Sequence, residues 1–224
     1  MSNIENEYIK VLNEAKDERP LQKFLEKHPF ILQIQFCSAW NFVMLLPQIN
    51  LGGKYIPDFM LITGHSGKWI IHFIEIESPM VSVFNKDGTY AKKTNYAIKQ
   101  ITDWAIWTEN NREAYIDILA SIVGKRTAFT NGFTPDMRAN RHSIENNHHI
   151  IIGRSSNMSE EDRARRGISE LVNYNILSYD RLISAIKINP QACAKNEYPI
   201  MNKIRKRYIS KYLNGAMSGP YKRK

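Results

Sequence analysis

The sequence predicts an α/β sandwich in which a mixed sheet is flanked by helices, and three observations carry that prediction. Apolar residues recur at helical spacing near both ends of the chain. Two central apolar runs flank a Gly/Ser/His turn. Beyond them, helix and strand patterns follow one another.

Taken in order, "NIENEYIKVLNEAK" (3–16) places Ile4, Tyr8, Val11, Leu12 and Ala15 on one helical face. Pro20 opens a second helix, "LQKFLEKH", which Pro29 closes. Residues 30–51 are mixed, with an apolar run that reads as a strand interrupted at Pro47. The runs "YIPDFMLI" and "KWIIHFIEIE" pair as an antiparallel hairpin. Asp87-Gly88 marks a turn, after which "AKKTNYAIKQITDWAIWTENN" (91–111) is an amphipathic helix carrying a stripe of Tyr96, Gln100, Trp104 and Trp107. "NREAYIDILASI" is another helix or its continuation, and "NHHIIIG" is a short buried strand. Ser159 and Asp162 have the spacing of a helix N-cap, and "ILSYDRLISAIK" supplies a brief strand and a closing helix.

At 224 residues, 43% hydrophobic and 24% charged, the chain suits one globular domain with its own core. No apolar run resembles a signal peptide or is long enough to span a bilayer, so the expectation is a cytoplasmic protein without a membrane partner. Cys37 and Cys193 lack metal-ligand spacing and read as packed or surface thiols. The net charge of +9 is concentrated at one end: after Pro199 there are eight basic residues and no acidic one, which leaves +1 for residues 1–199. The expected division is therefore a domain over 1–199 and a basic helix and tail over 200–224, where Lys203, Arg205, Lys206 and Arg207 suit a polyphosphate partner.

The hairpin raises a chemical question, because it carries Asp58, Glu75 and Glu77 among apolar residues. Side chains alternate along a strand, so Glu75 and Glu77 share a face with Trp69, Ile71 and Phe73. A four-residue turn sets Asp58 opposite Glu75 and a six-residue turn sets it diagonal, whereas a slip of one residue would separate them. Carboxylates gathered in an apolar setting raise one another's pKa and call for a cation. A hard divalent ion satisfies that demand.

An Asp at one strand end followed on the next strand by Glu-x-Glu or Glu-x-Lys is the acidic pattern of PD-(D/E)XK nucleases, written here as Pro57-Asp58 and "EIE". With "LQKFLEKHPFIL", "YIPDFMLI", "IEIESP", "YAIKQITDWAIW" and "NILSYDRLISAI" in that order, the chain resembles the Shedu family of bacterial antiphage defence nucleases over nearly its whole length. The resemblance implies a restriction-endonuclease-like core, metal-dependent cleavage of DNA, a homo-oligomer, and phage or other foreign DNA as the partner. Asp58 and Glu75 match the family's metal-binding acids, and Gln100 matches a Gln on the helix behind the site. Glu77 departs from the usual Lys.

On this reading Asp58, Glu75 and the carbonyl of Ile76 hold Mg²⁺, for which Mn²⁺ can substitute. Glu77 accepts a proton or holds a second ion, and Gln100 orients water or a phosphate oxygen. Lys92, Lys93 and Lys99 are candidate phosphate contacts. The alternative is an inert nuclease-fold module that binds nucleic acid, because a carboxylate at position 77 cannot supply the motif's ammonium. Trp104 and Trp107 read as core, and His148 and His149 as one structural and one exposed residue. Glu26 is placed near the site by analogy with related folds. Arg154, Arg163, Arg165 and Arg166 read as a grip on nucleic acid or on a neighbouring subunit.

Overall fold

Strand alternation sorts the central runs onto two opposite faces, and a computed structural model, which describes residues 3–36, 42–53, 55–65, 68–124, 141–169 and 174–187, shows what covers each face. Among the described residues there are five strands, β1 (Phe42–Pro47), β2 (Phe59–His65), β3 (Lys68–Ile76), β4 (Ile144–Ile151) and β5 (Tyr174–Leu177), in that spatial order. The first two pairings are antiparallel and the last two parallel, so the sheet is mixed.

Odd-numbered residues of β3 (Trp69, Ile71, Phe73) and even-numbered residues of β2 (Met60, Ile62) face α4 (Lys92–Asn110) and α5 (Arg112–Gly124), packing on Ala97, Ile101, Trp104, Tyr115 and Leu119. Phe59, Leu61, Ile74 and Ile76 face the other way. There they meet α1 (Asn3–Glu14), α2 (Arg19–Lys27), α3 (Phe30–Phe36) and α7 (Arg181–Lys187) through Tyr8, Leu12, Leu25, Ile31 and Leu182. β3 is buried on both faces, which is why its apolar residues form a nearly continuous run. The remaining helix, α6 (Glu160–Ser169), is capped reciprocally: Asp162 N–H donates to Ser159 Oγ at 3.0 Å and Ser159 N–H donates to Asp162 Oδ2 at 3.2 Å.

Two elements differ from the sequence reading. The mixed stretch after Pro29 forms α3, whose Phe30, Ile31, Leu32 and Gln33 are all buried. A helix of two turns covered on most sides leaves no readable 3.6-residue period. His148 and His149 do point to opposite faces, yet both are buried at 8% exposure: His148 stacks on Phe73, and His149 lies against His72 and Phe36. The chain breaks at Asn111, whose N–H caps α4 through the carbonyl of Trp107, so α5 is a separate helix. Cys37, Cys193 and the proposed segment 200–224 lie outside the described residues.

Candidate active site

The hairpin register decides whether the acids meet. His65 pairs with Lys68 and Phe59 with Ile74, which continues to Asp58 across from Glu75. Asp58 is fixed at both ends: its carbonyl accepts the Gln48 N–H at 3.0 Å, and its Oδ2 accepts the Ile76 N–H at 3.0 Å. The Asp58 and Glu75 carboxyl groups face each other closely enough to perturb one another, and Gln100 on α4 reaches Glu75. Burial pushes both acids above the ordinary carboxylate range, Glu75 further than Asp58. Their mutual repulsion and the nearby Glu77 add to the rise at Glu75. Full ionisation of the pair is therefore disfavoured, and most strongly at Glu75.

Glu77 lies just beyond β3, where backbone hydrogen bonds hold the chain. Its N–H donates to Ile151 O at 2.9 Å, and its carbonyl accepts the Tyr179 hydroxyl at 2.7 Å. Tyr8 on α1 in turn donates to Tyr179 O at 2.8 Å. One residue on, Ser78 O accepts the Gly153 N–H at 3.3 Å. Gly153 has φ +67°, and a Cβ there would come within 2.5 Å of the Val81 carbonyl oxygen.

The Glu77 carboxylate turns to Lys93 Nζ at 3.3 Å, with 10% and 54% side-chain exposure respectively. Among the described residues no group of three or more His, Cys, Asp and Glu side chains could hold a metal ion. Glu77 is engaged by Lys93, and an all-oxygen set of Asp58, Glu75 and the Ile76 carbonyl could hold a hard divalent ion. Two acids whose ionisation is disfavoured by burial and mutual repulsion suit such a cation, which would relieve both.

Lys92 and Lys99 are exposed on α4, and Lys92 Nζ lies 5.7 Å from the Tyr96 ring centroid. Lys203, Arg205, Lys206 and Arg207 lie outside the described residues. Arg154 is engaged internally, with Asp180 at 3.0 Å and Asn13 at 3.0 Å. Glu26 accepts a hydrogen bond from Gln22, and the acid that instead raises Asp58 from the α2 side is Glu18, at that helix's N-cap position. Sequence reading missed Glu18 and Tyr179. Glu18 before Arg19-Pro20 signals only a helix start, and a tyrosine's long-range partner has no local signature.

Among the described residues no helix is long and apolar enough to cross a membrane. The family model for the C-terminal part of the Shedu protein SduA matches residues 15–183. No curated protein matches the chain.

Proposed function

This chain belongs to the Shedu family, which associates it with antiphage defence, and from that premise we propose that it is a metal-dependent endonuclease cleaving DNA phosphodiester bonds. The observation that carries the proposal is the pairing of half-buried Asp58 with buried Glu75, with Gln100 of α4 in reach of Glu75. Two adjoining acids drawn out of water cost stability, so their presence at the end of the hairpin favours a role beyond packing.

Asp58, Glu75 and the Ile76 carbonyl would hold Mg²⁺ or Mn²⁺. When bound, such an ion supplies Lewis-acid stabilisation of the phosphoryl oxygens and makes water a better nucleophile. The protein's own groups do the rest. Asp58 is held in place by the Ile76 N–H, so its lone pairs are directed without a rotamer search. Gln100 orients Glu75. Glu77 is a proton acceptor beside the pair, and Lys93 returns an ammonium to the point where the family motif carries one on the strand. Lys92, Lys93 and Lys99 offer cations along α4 to the phosphate backbone.

A second reading is supported by the lack of a three-side-chain metal group among the described residues: the fold binds nucleic acid without cutting it. Incubation of linear and circular DNA with Mn²⁺, beside Asp58→Ala and Glu75→Ala, separates the two. The nuclease predicts cleavage by wild type that both variants lose. Calorimetry with Mn²⁺ should show a binding isotherm that Asp58→Ala abolishes, and wild type that neither binds the ion nor cuts DNA would establish the binding module.

A further inference from the structure

Tyr96 is neither core nor catalytic, and its surroundings are unusual. Among the described residues four large hydrophobic side chains stand exposed, and Tyr96, at 52%, is the aromatic one. On a helix the neighbours of a residue lie three and four positions away. For Tyr96 these are Lys92 and Lys93 on one side and Lys99 and Gln100 on the other. Two of the four reach the acids: Lys93 pairs with Glu77, and Gln100 lies in reach of Glu75. Tyr96 thus shares its helix surface with side chains that reach the acids, and Lys92 Nζ lies over one face of its ring, 5.7 Å from the centroid.

We propose that Tyr96 is a stacking platform for an unpaired nucleobase of the strand bound at the Asp58–Glu75 site, with Lys92 and Lys99 holding the flanking phosphates. The inference rests on the nuclease reading of that site and adds the class of substrate. A ring with a lysine over one face, leaving the opposite face for a base, and a second lysine three residues on matches the alternation of base and phosphate along a strand. A base inside a duplex has both faces covered by its neighbours, so the platform is open only to a single strand or to a frayed end. Tyr96 is exposed, so exchanging it leaves the core untouched.

The test uses the full chain and fluorescence anisotropy in EDTA, so that binding is read without cleavage. The probes are a fluorescein-labelled single-stranded oligonucleotide, a blunt duplex, and a duplex closed by hairpins at both ends; a parallel single strand carries 2-aminopurine. Tyr96→Leu should weaken single-strand binding by about tenfold or more and abolish 2-aminopurine quenching, while Tyr96→Phe retains both. Affinity for the closed duplex should change less than about twofold, as phosphate contacts do not depend on the ring. A loss on the blunt duplex as well would identify the frayed end as a source of the base. Single-strand binding unchanged in Tyr96→Leu, or an equal loss on the closed duplex, would overturn the proposal. Mn²⁺-dependent cleavage by wild type and Asp58→Ala is measured alongside. If wild type cuts no better than Asp58→Ala, the nuclease reading fails, while the anisotropy result still decides the role of Tyr96.

Discussion

At the scale of single residues, Glu77 stands where the motif that the chain resembles carries lysine, and Lys93 on the neighbouring helix lies 3.3 Å from its carboxylate. With Lys93 more than half exposed, the bridge contributes only about 0–1 kcal/mol to stability, so it is better tested by rate than by melting. Glu77→Ala is expected to lower Mn²⁺-dependent cleavage by about tenfold to a hundredfold with nearly unchanged DNA affinity, because a group acting in the transition state affects rate more than binding. Glu77→Lys alone sets two ammonium groups side by side. The exchange of both, Glu77→Lys with Lys93→Glu, restores opposite charges and should recover part of the activity. Rate measurements in which Glu77→Ala and Lys93→Ala both match wild type would reduce the pair to an exposed ion pair.

At the scale of elements, the site hangs on the point where β3 ends and the chain turns across the end of β4. Gly153 follows β4, and its positive φ and close approach to Val81 O leave no room for a side chain. Gly153→Ala should therefore cost about 1–3 kcal/mol or more, and denaturant midpoints should fall together with cleavage, because the displaced segment carries Glu77 and Ser78. Tyr179→Phe is the milder companion. It removes the hydroxyl that holds the Glu77 carbonyl while keeping the buried ring, for an expected cost of about 1–2 kcal/mol by chemical denaturation. Neither effect was legible in the sequence, where "IIIGRSS" and "LSYDR" read as a strand end and a helix entry.

At the scale of the whole molecule, a sheet covered on both sides buries titratable groups that an open sheet would leave in water. His72 and His148 are each driven down to about 4 by burial, and His149 well below its ordinary value for the same reason. The native state stays neutral at these positions while the unfolded chain protonates near its usual pKa of about 6.5. The histidines' contribution to stability is thus fully present above that value and is lost as pH drops from about 6.5 toward 4, whereas the raised Asp58 and Glu75 act in the opposite sense, losing stability as pH rises. The steepest slope is about 1.4 kcal/mol per pH unit for each proton taken up. Urea midpoints at pH 7.5, 5.5 and 4.5, compared between wild type and His149→Phe, isolate the histidine share: the stability of the variant relative to wild type should rise as pH falls, and a constant difference would assign no part to His149. The basic segment after residue 199 belongs to the same scale through its eight positive charges. Removing residues 200–224 should flatten the dependence of DNA affinity on salt by about 0.9 in log–log slope for each phosphate the segment had neutralised, whereas an unchanged slope would leave the segment no part in binding.

By itself the sequence determined the layers and the grouping of acids on the hairpin. Period-two and period-3.6 patterns are local, so the two central runs, α1 and α4 could be read directly, as could the acids at positions 58, 75 and 77 and the glutamine a helix away. Where the pattern was too short or covered on every side, as in α3, or where a histidine's exposure depended on the helix packed above it, periodicity carried no information. The tertiary structure alone decided the pairings between distant positions. It chose the register that sets Asp58 across from Glu75, engaged Glu77 with Lys93, brought Glu18 within electrostatic reach of Asp58, and tied Tyr8 and Tyr179 to the backbone around Glu77. The physical reason is that hydrogen bonds and desolvation depend on distances in space, and partners up to 171 positions apart leave no trace in the spacing of either one's neighbours.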